Sequence, residues 1–264
     1  MTSEHMTKTT LAAGVTAVAA ATAGAQTDSA AVDQAFETLK TYDWGSDLAT
    51  LKPIEQAIIA TENDAAARKA LEKRLVDTLT GGISRSAQDY VCRRLRIVGT
   101  AQAVPALAAL LPAEETSHIA RYALERIPDE KAAGALRDAL PKVNNKLKSG
   151  MIGSLGARRD TKSINTISKF AGDSDPMLAR AAIQSLGLIG TPAAAKELEE
   201  FAKKAPDNMK MRVADARLVC AERLLADGEK DEAVAVYKDL RGDDQPSYIR
   251  VAAMRGMVIA TTRK

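Results

Sequence analysis

Apolar residues recur along this chain in four columns. One holds Leu95, Leu124, Leu155, Leu186 and Leu224, with steps of 29, 31, 31 and 38 residues between them. Four residues earlier stand Val91, Ala120, Met151, Ala182 and Cys220, and four residues later comes a turn position held by Gly99, Pro128, Arg159, Gly190 and Gly228. Five residues past the turn are Val104, Ala133, Ile164, Ala195 and Ala233; eight past it are Leu107, Leu136, Ile167, Leu198 and Val236. Positions spaced by three and four share one helix face. Each unit therefore predicts two amphipathic helices joined by a tight turn. One such hairpin cannot bury its apolar face alone, so neighbours must stack and share a core. The pattern predicts an all-α fold, a solenoid of helical hairpins.

Helix starts are marked independently of the columns. Asp173-Ser-Asp-Pro176 and Thr191-Pro192 each pair a capping side chain with a proline suited to a first turn. Pro128 takes the turn position where other units have glycine, which predicts a fixed turn leading into the next helix. Four units follow, at about 86–112, 115–142, 144–172 and 175–205, with short polar connections. The run Arg180-Ala-Ala-Ile-Gln-Ser-Leu-Gly-Leu-Ile-Gly-Thr-Pro-Ala-Ala-Ala-Lys-Glu-Leu198 resembles short HEAT repeats of the subtype also seen in phycobilisome-lyase-type HEAT proteins. Tyr90-Val-Cys-Arg-Arg-Leu-Arg-Ile-Val-Gly99, followed by Val104-Pro-Ala-Leu107, is similar to repeats of exported bacterial HEAT proteins. The resemblance implies a right-handed α-α superhelix with a concave binding surface. It implies no enzyme activity, because HEAT units are a scaffold that hosts many functions.

The ends depart from the repeat. Residues 1–25 read as an export signal: Lys8, an uncharged Ala- and Val-rich run from Leu11 to Thr22, then Ala23-Gly24-Ala25 as a cleavage site. That apolar run is too short for a membrane span. Residues 26–83 read as a helical capping region. Within it Tyr42-Asp-Trp-Gly45 breaks a short helix, Ser46 is a candidate cap, and Trp44, the single tryptophan, is expected to plug the end of the array, with an exposed recognition residue as the alternative. Residues 84–264 form the repeat array. Its fifth unit, Ala221 to Leu240, resembles a tetratricopeptide unit and is equally readable as a lengthened HEAT pair. Ser247 to Ala260 is a first helix without a second, an apolar half-repeat that can fold back as a cap or meet another subunit.

Composition adds what the surface can do. Charges nearly balance, with 37 Lys and Arg against 34 Asp and Glu, and aromatics make up only 3%. Nucleic acid is not indicated: the basic run lacks interleaved rings for stacking bases. His118 is the only histidine after the signal, so neither a metal site nor a Ser-His-Asp triad is supported. Cys92 and Cys220 fall on first helices several units apart, roughly 30 Å if adjacent helices lie about 8–10 Å from one another. A disulfide needs Cα atoms within about 7 Å, so two free, buried thiols are expected. Arg93, Arg94, Arg96, Arg121, Arg126, Arg158 and Arg159 form a basic constellation, expected to pair within and between repeats with Glu125, Asp129, Asp138 and Asp160.

The expected function is that of an exported scaffold or adaptor that binds another protein and performs no catalysis. Binding is assigned to second-helix positions Arg137, Lys162, Asn165 and Lys196, with Arg159 on a turn rim. Two alternatives stand beside it: an accessory or regulatory module of a larger exported enzyme or redox assembly, and a chromophore or cofactor lyase-like HEAT protein. No cofactor is called for.

Overall fold

The computed structural model describes residues 29–262; the proposed export signal lies outside them. Among the described residues there are fourteen α-helices and no strand. Three precede the repeats: α1 (Ser29–Thr41), α2 (Lys52–Ala60) and α3 (Ala65–Leu79). The repeat pairs are α4 (Arg85–Val98) with α5 (Val104–Ala109), α6 (Glu114–Leu124) with α7 (Glu130–Ala139), and α8 (Asn145–Ala157) with α9 (Ile164–Ile167). Next come α10 (Pro176–Ile189) with α11 (Pro192–Ala202) and α12 (Asp207–Ala226) with α13 (Lys230–Asp239); α14 (Ser247–Thr262) closes the array. First helices stack in chain order, α4 on α6, α8, α10 and α12, while α5 packs on α7 and α9 on α11. This is a helical solenoid, built as the periodicity requires.

The apolar columns are its core. Nineteen of the twenty column positions are buried, and all five leucines are fully so. Burying each leucine contributes on the order of 1.5–3 kcal/mol relative to leaving it exposed. The exception is Ala195; on α11 the neighbouring Ala194 turns inward instead.

In two units the residue after the turn caps the second helix through its side chain. The residue after the turn is Thr100, Asp129, Asp160, Thr191 or Glu229. Asp129 accepts from the Lys131 N–H at 2.8 Å and Thr191 from the Ala194 N–H at 3.3 Å. The turn itself is left-handed at Arg159, Gly190 and Gly228, with φ of 55°, 60° and 91°. Gly99 is not left-handed. There a side chain is excluded because a Cβ would run into the Leu95 carbonyl and Ile127. Pro128 stands one residue before the cap Asp129, outside the first turn of α7.

Two departures have local causes. The second helix of the third unit is short, flanked by 3₁₀ turns at Thr161–Ser163 and Ser168–Phe170. The long step to the fifth unit lies in α12, which has 20 residues where α10 has 14. At the amino end, Ser46 is not the cap; Asp47 caps the 3₁₀ turn Leu48–Leu51 by accepting from the Ala49 N–H.

Small residues set how closely first helices approach. A Cβ on Gly187 of α10 would lie 2.7 Å from the Ala216 carbonyl oxygen of α12, a backbone atom that cannot swing away. Gly153 of α8 has open space around it. Gly187→Ala is therefore expected to lower stability by about 1–3 kcal/mol through overpacking. Gly153→Ala should raise it by about 0.5–1 kcal/mol by removing backbone freedom from a helix interior. Urea unfolding of the two variants checks both signs; equal shifts would refute the close-approach account.

Candidate functional site

Much of the basic constellation is absorbed by the fold, while Arg93 and Arg126 stay exposed. Arg121 donates to the Gly150 carbonyl at 3.0 Å and to Ser154 Oγ at 3.1 Å. Arg158 reaches the carbonyls of Leu124, Ile127 and Asp129. Burial pulls both guanidinium pKa values below their ordinary range. Arg96 lies over the Tyr122 ring at 4.5 Å. Of the expected acidic partners, Asp129 serves through its backbone and Glu125 accepts from Ser154 Oγ.

The five assigned binding positions fall into two groups. Arg137 bonds Asp160 at 2.7 Å and Glu130 at 2.6 Å, and Lys162 reaches the same Glu130 at 2.8 Å. Lys162 first, then Arg137, holds the Glu130 carboxyl down at about 2. Arg159 pairs with Asp227 and donates from Nε to the Ile189 carbonyl at 3.0 Å. These three side chains join repeats to one another. Asn165 and Lys196 are exposed.

The structure places a cleft with an outward tryptophan at the amino end. Trp44 does not plug the array; it is 94% exposed. The plug consists of Phe36, Leu39, Leu51 and Ile54, all buried, with the Arg74 guanidinium 4.0 Å above the Phe36 ring. Trp44 is turned outward by a fixed turn. Asp43 accepts from the Trp44 N–H at 2.8 Å and from Ser86 Oγ at 3.0 Å. The Asp43 N–H donates to Ser46 Oγ at 3.2 Å, and Ser84 Oγ donates to the Tyr42 carbonyl at 2.5 Å. Gly45 takes φ 88°, where a side chain would be strained. The Trp44 N–H, followed by Ser86, draws the Asp43 carboxyl below its ordinary 3.8.

Beside this turn lies a cleft of about 640 Å³ walled by Tyr42, Trp44, Leu48, Arg85, Asp89, Tyr90, Arg93 and Arg94. Tyr42 and Tyr90 pack with ring centroids 6.4 Å apart, and Arg94 stacks over Tyr90 at 4.4 Å. Arg94 pairs with Glu55 and Arg93 with Asp89, each at 2.7 Å. The sequence did hold the signal: an aspartate before the tryptophan and a glycine after it spell a tight turn, which directs a side chain outward as readily as inward.

A second exposed apolar surface is the outer face of α14, with Tyr248, Val251, Met254 and Val258 outward and Ile249, Ala253, Gly256 and Ala260 inward. Cys92 and Cys220 are buried and free, and burial pushes both thiols up to about 12.

Residues 135–216, from α7 into α12, match the family model described as HEAT repeats. Among solved structures the chain is similar to the complex of CpcE and CpcF of phycocyanin lyase from Nostoc sp. PCC7120, at 20% identity and a TM-score of 0.41, over 86% of this chain and 94% of that one. It is also similar to an engineered protein at 17% identity and a TM-score of 0.40, over 89% of this chain and 69% of that one. At such identities and scores the likeness concerns helical build alone. No curated protein matches. HEAT repeats are a protein-interaction scaffold, and no helix among the described residues is long and apolar enough to cross a membrane.

Three measurements check this geometry. Emission from Trp44 should be quenched by acrylamide almost as well in the native state as after unfolding; a shielded native indole would contradict the outward turn. Both thiols should react with a disulfide reagent only after denaturation, since thiolate is the reactive form and burial suppresses it. Because the folded Glu130 pKa is depressed, its ion pairs are fully formed above the ordinary value of 4.5 and are lost as pH falls through about 2. Carboxyl NMR titration of Glu130 should show that low midpoint, and Lys162→Ala should move it upward.

Proposed function

We propose that this protein is an exported adaptor that binds another protein through its solenoid surface, acting by shape and charge and without catalysis of its own. The observation that carries this reading is Trp44, held on a pinned turn over the arginine-lined cleft. An indole left in water gains from being covered, and tryptophan and arginine are the residues that most often dominate binding energy at protein interfaces. Export is supported by the signal-like pattern of residues 1–25.

Asn165 and Lys196 remain outward polar positions that can add to such a surface, whereas Arg137, Arg159 and Lys162 act first within the solenoid. The second reading, an accessory module of a larger exported enzyme or redox assembly, is favoured by the uncovered apolar stripe of α14.

A photo-crosslinking amino acid placed at position 44, 196 or 254 in the native host separates the readings. The adaptor reading expects a protein adduct at 44, strengthened by one at 196. Adducts at 254 alone would favour the accessory module, and none at any position would overturn both.

A further inference from the structure

We infer that the Trp44 cleft receives an extended peptide segment in which a bulky apolar residue is flanked by acidic residues. This rests on the adaptor reading and names the chemistry of its partner.

The charges that α4 contributes to the cleft are arranged in order. Arg85, Asp89 and Arg93 follow one another at four-residue intervals along α4, giving a positive, a negative and a positive position. Eight residues of helix separate the two arginines by about 12 Å at a rise of 1.5 Å per residue. That distance is spanned by about three to four residues of extended chain. A ligand strand along α4 is thus favoured when carboxylates stand at its two ends and disfavoured when one stands in the middle, where Asp89 repels it.

Spare donors are present at both ends. Arg85 spends its Nε on the Glu115 carbonyl, and Arg93 spends Nε and Nη2 on Asp89. Each guanidinium has five N–H bonds, so both keep donors for an incoming carboxylate. Both residues are exposed.

The middle of the strand meets apolar surface instead. Trp44 and Leu48 are outward and line the cleft together with Tyr42. Because the turn is already fixed by Asp43, Ser46 and Ser84, presenting the indole costs the complex little further ordering.

A single-stranded nucleic acid fits less well. Asp89 within the cleft and Glu55 on Arg94 oppose a phosphate chain. Only one ring is outward, since Tyr90 is buried and Tyr42 packs against it, whereas strand binding draws on successive stacking platforms.

The test begins with a phage-displayed library of random twelve-residue peptides. It is panned on the full-length protein and counter-selected on Trp44→Ala. Enriched sequences should carry two acids three or four positions apart around Leu, Phe or Met. A synthetic, tryptophan-free member is then titrated while the emission of Trp44, the chain's single tryptophan, is followed. A saturable blue shift is expected, weakened at least tenfold by Arg85→Glu or Arg93→Glu and by high salt, with unchanged circular dichroism showing that each variant folds. The inference is overturned if no sequence survives counter-selection, if basic sequences emerge, if the arginine variants bind equally, or if oligo-dT rather than the peptide shifts the emission. A crosslink from position 44 to a protein, together with failure of the panning, would leave the adaptor reading standing and remove only this partner class.

Discussion

The carbonyl groups that end a first helix have to be satisfied, and at α4, α6 and α10 arginines from neighbouring units do it. A helix leaves its last four carbonyls without internal partners. Here Arg68 donates to Ile97, Arg158 to Leu124 and Ile127, and Arg159 to Ile189, each across about one repeat. Positive charge at a helix C-terminus also meets the favourable end of its dipole. Hydrogen bonds with a charged partner contribute on the order of 1.5–3 kcal/mol each. Apolar stacking alone tolerates sliding, whereas these bonds fix the register between units. Lysine could not replace Arg158, because one ammonium cannot reproduce a planar fork spread over three carbonyls.

The same use of arginine explains what was and was not legible in the sequence. The solenoid could be read because burial repeats: Leu95 and its equivalents must face inward in every unit, and a period survives substitution of Val for Met or Cys for Ala. Arg137 lies on its second helix as expected, whereas Lys162, assigned to a second helix, sits in the 3₁₀ turn before α9; the engagement of both by Glu130 depends on how one unit overlaps the next, a distance no single-unit pattern contains. Trp44 was misjudged for a different reason. Size argues that an aromatic residue is buried, yet four smaller apolar side chains already close the amino end, and the backbone turn decided the direction of the indole.

The candidate site therefore arises where the repeat stops. Inside the array each unit satisfies its neighbour's polar and apolar groups. At the amino end α1 to α3 cover the core without reproducing the repeat, and the joint between them and α4 leaves a cleft with one wall from each. Such joints can vary without disturbing the packing of later units, which suits them to carry specificity on a generic scaffold.

Arg159 has a broader consequence. It bonds the end of α10 in the next unit and also Asp227, which closes α12 one unit further on. Linear arrays ordinarily behave as chains of nearest-neighbour links, and their ends can peel away unit by unit. Arg159 thus ties the third unit to both the fourth and the fifth, a link that reaches beyond the nearest neighbour.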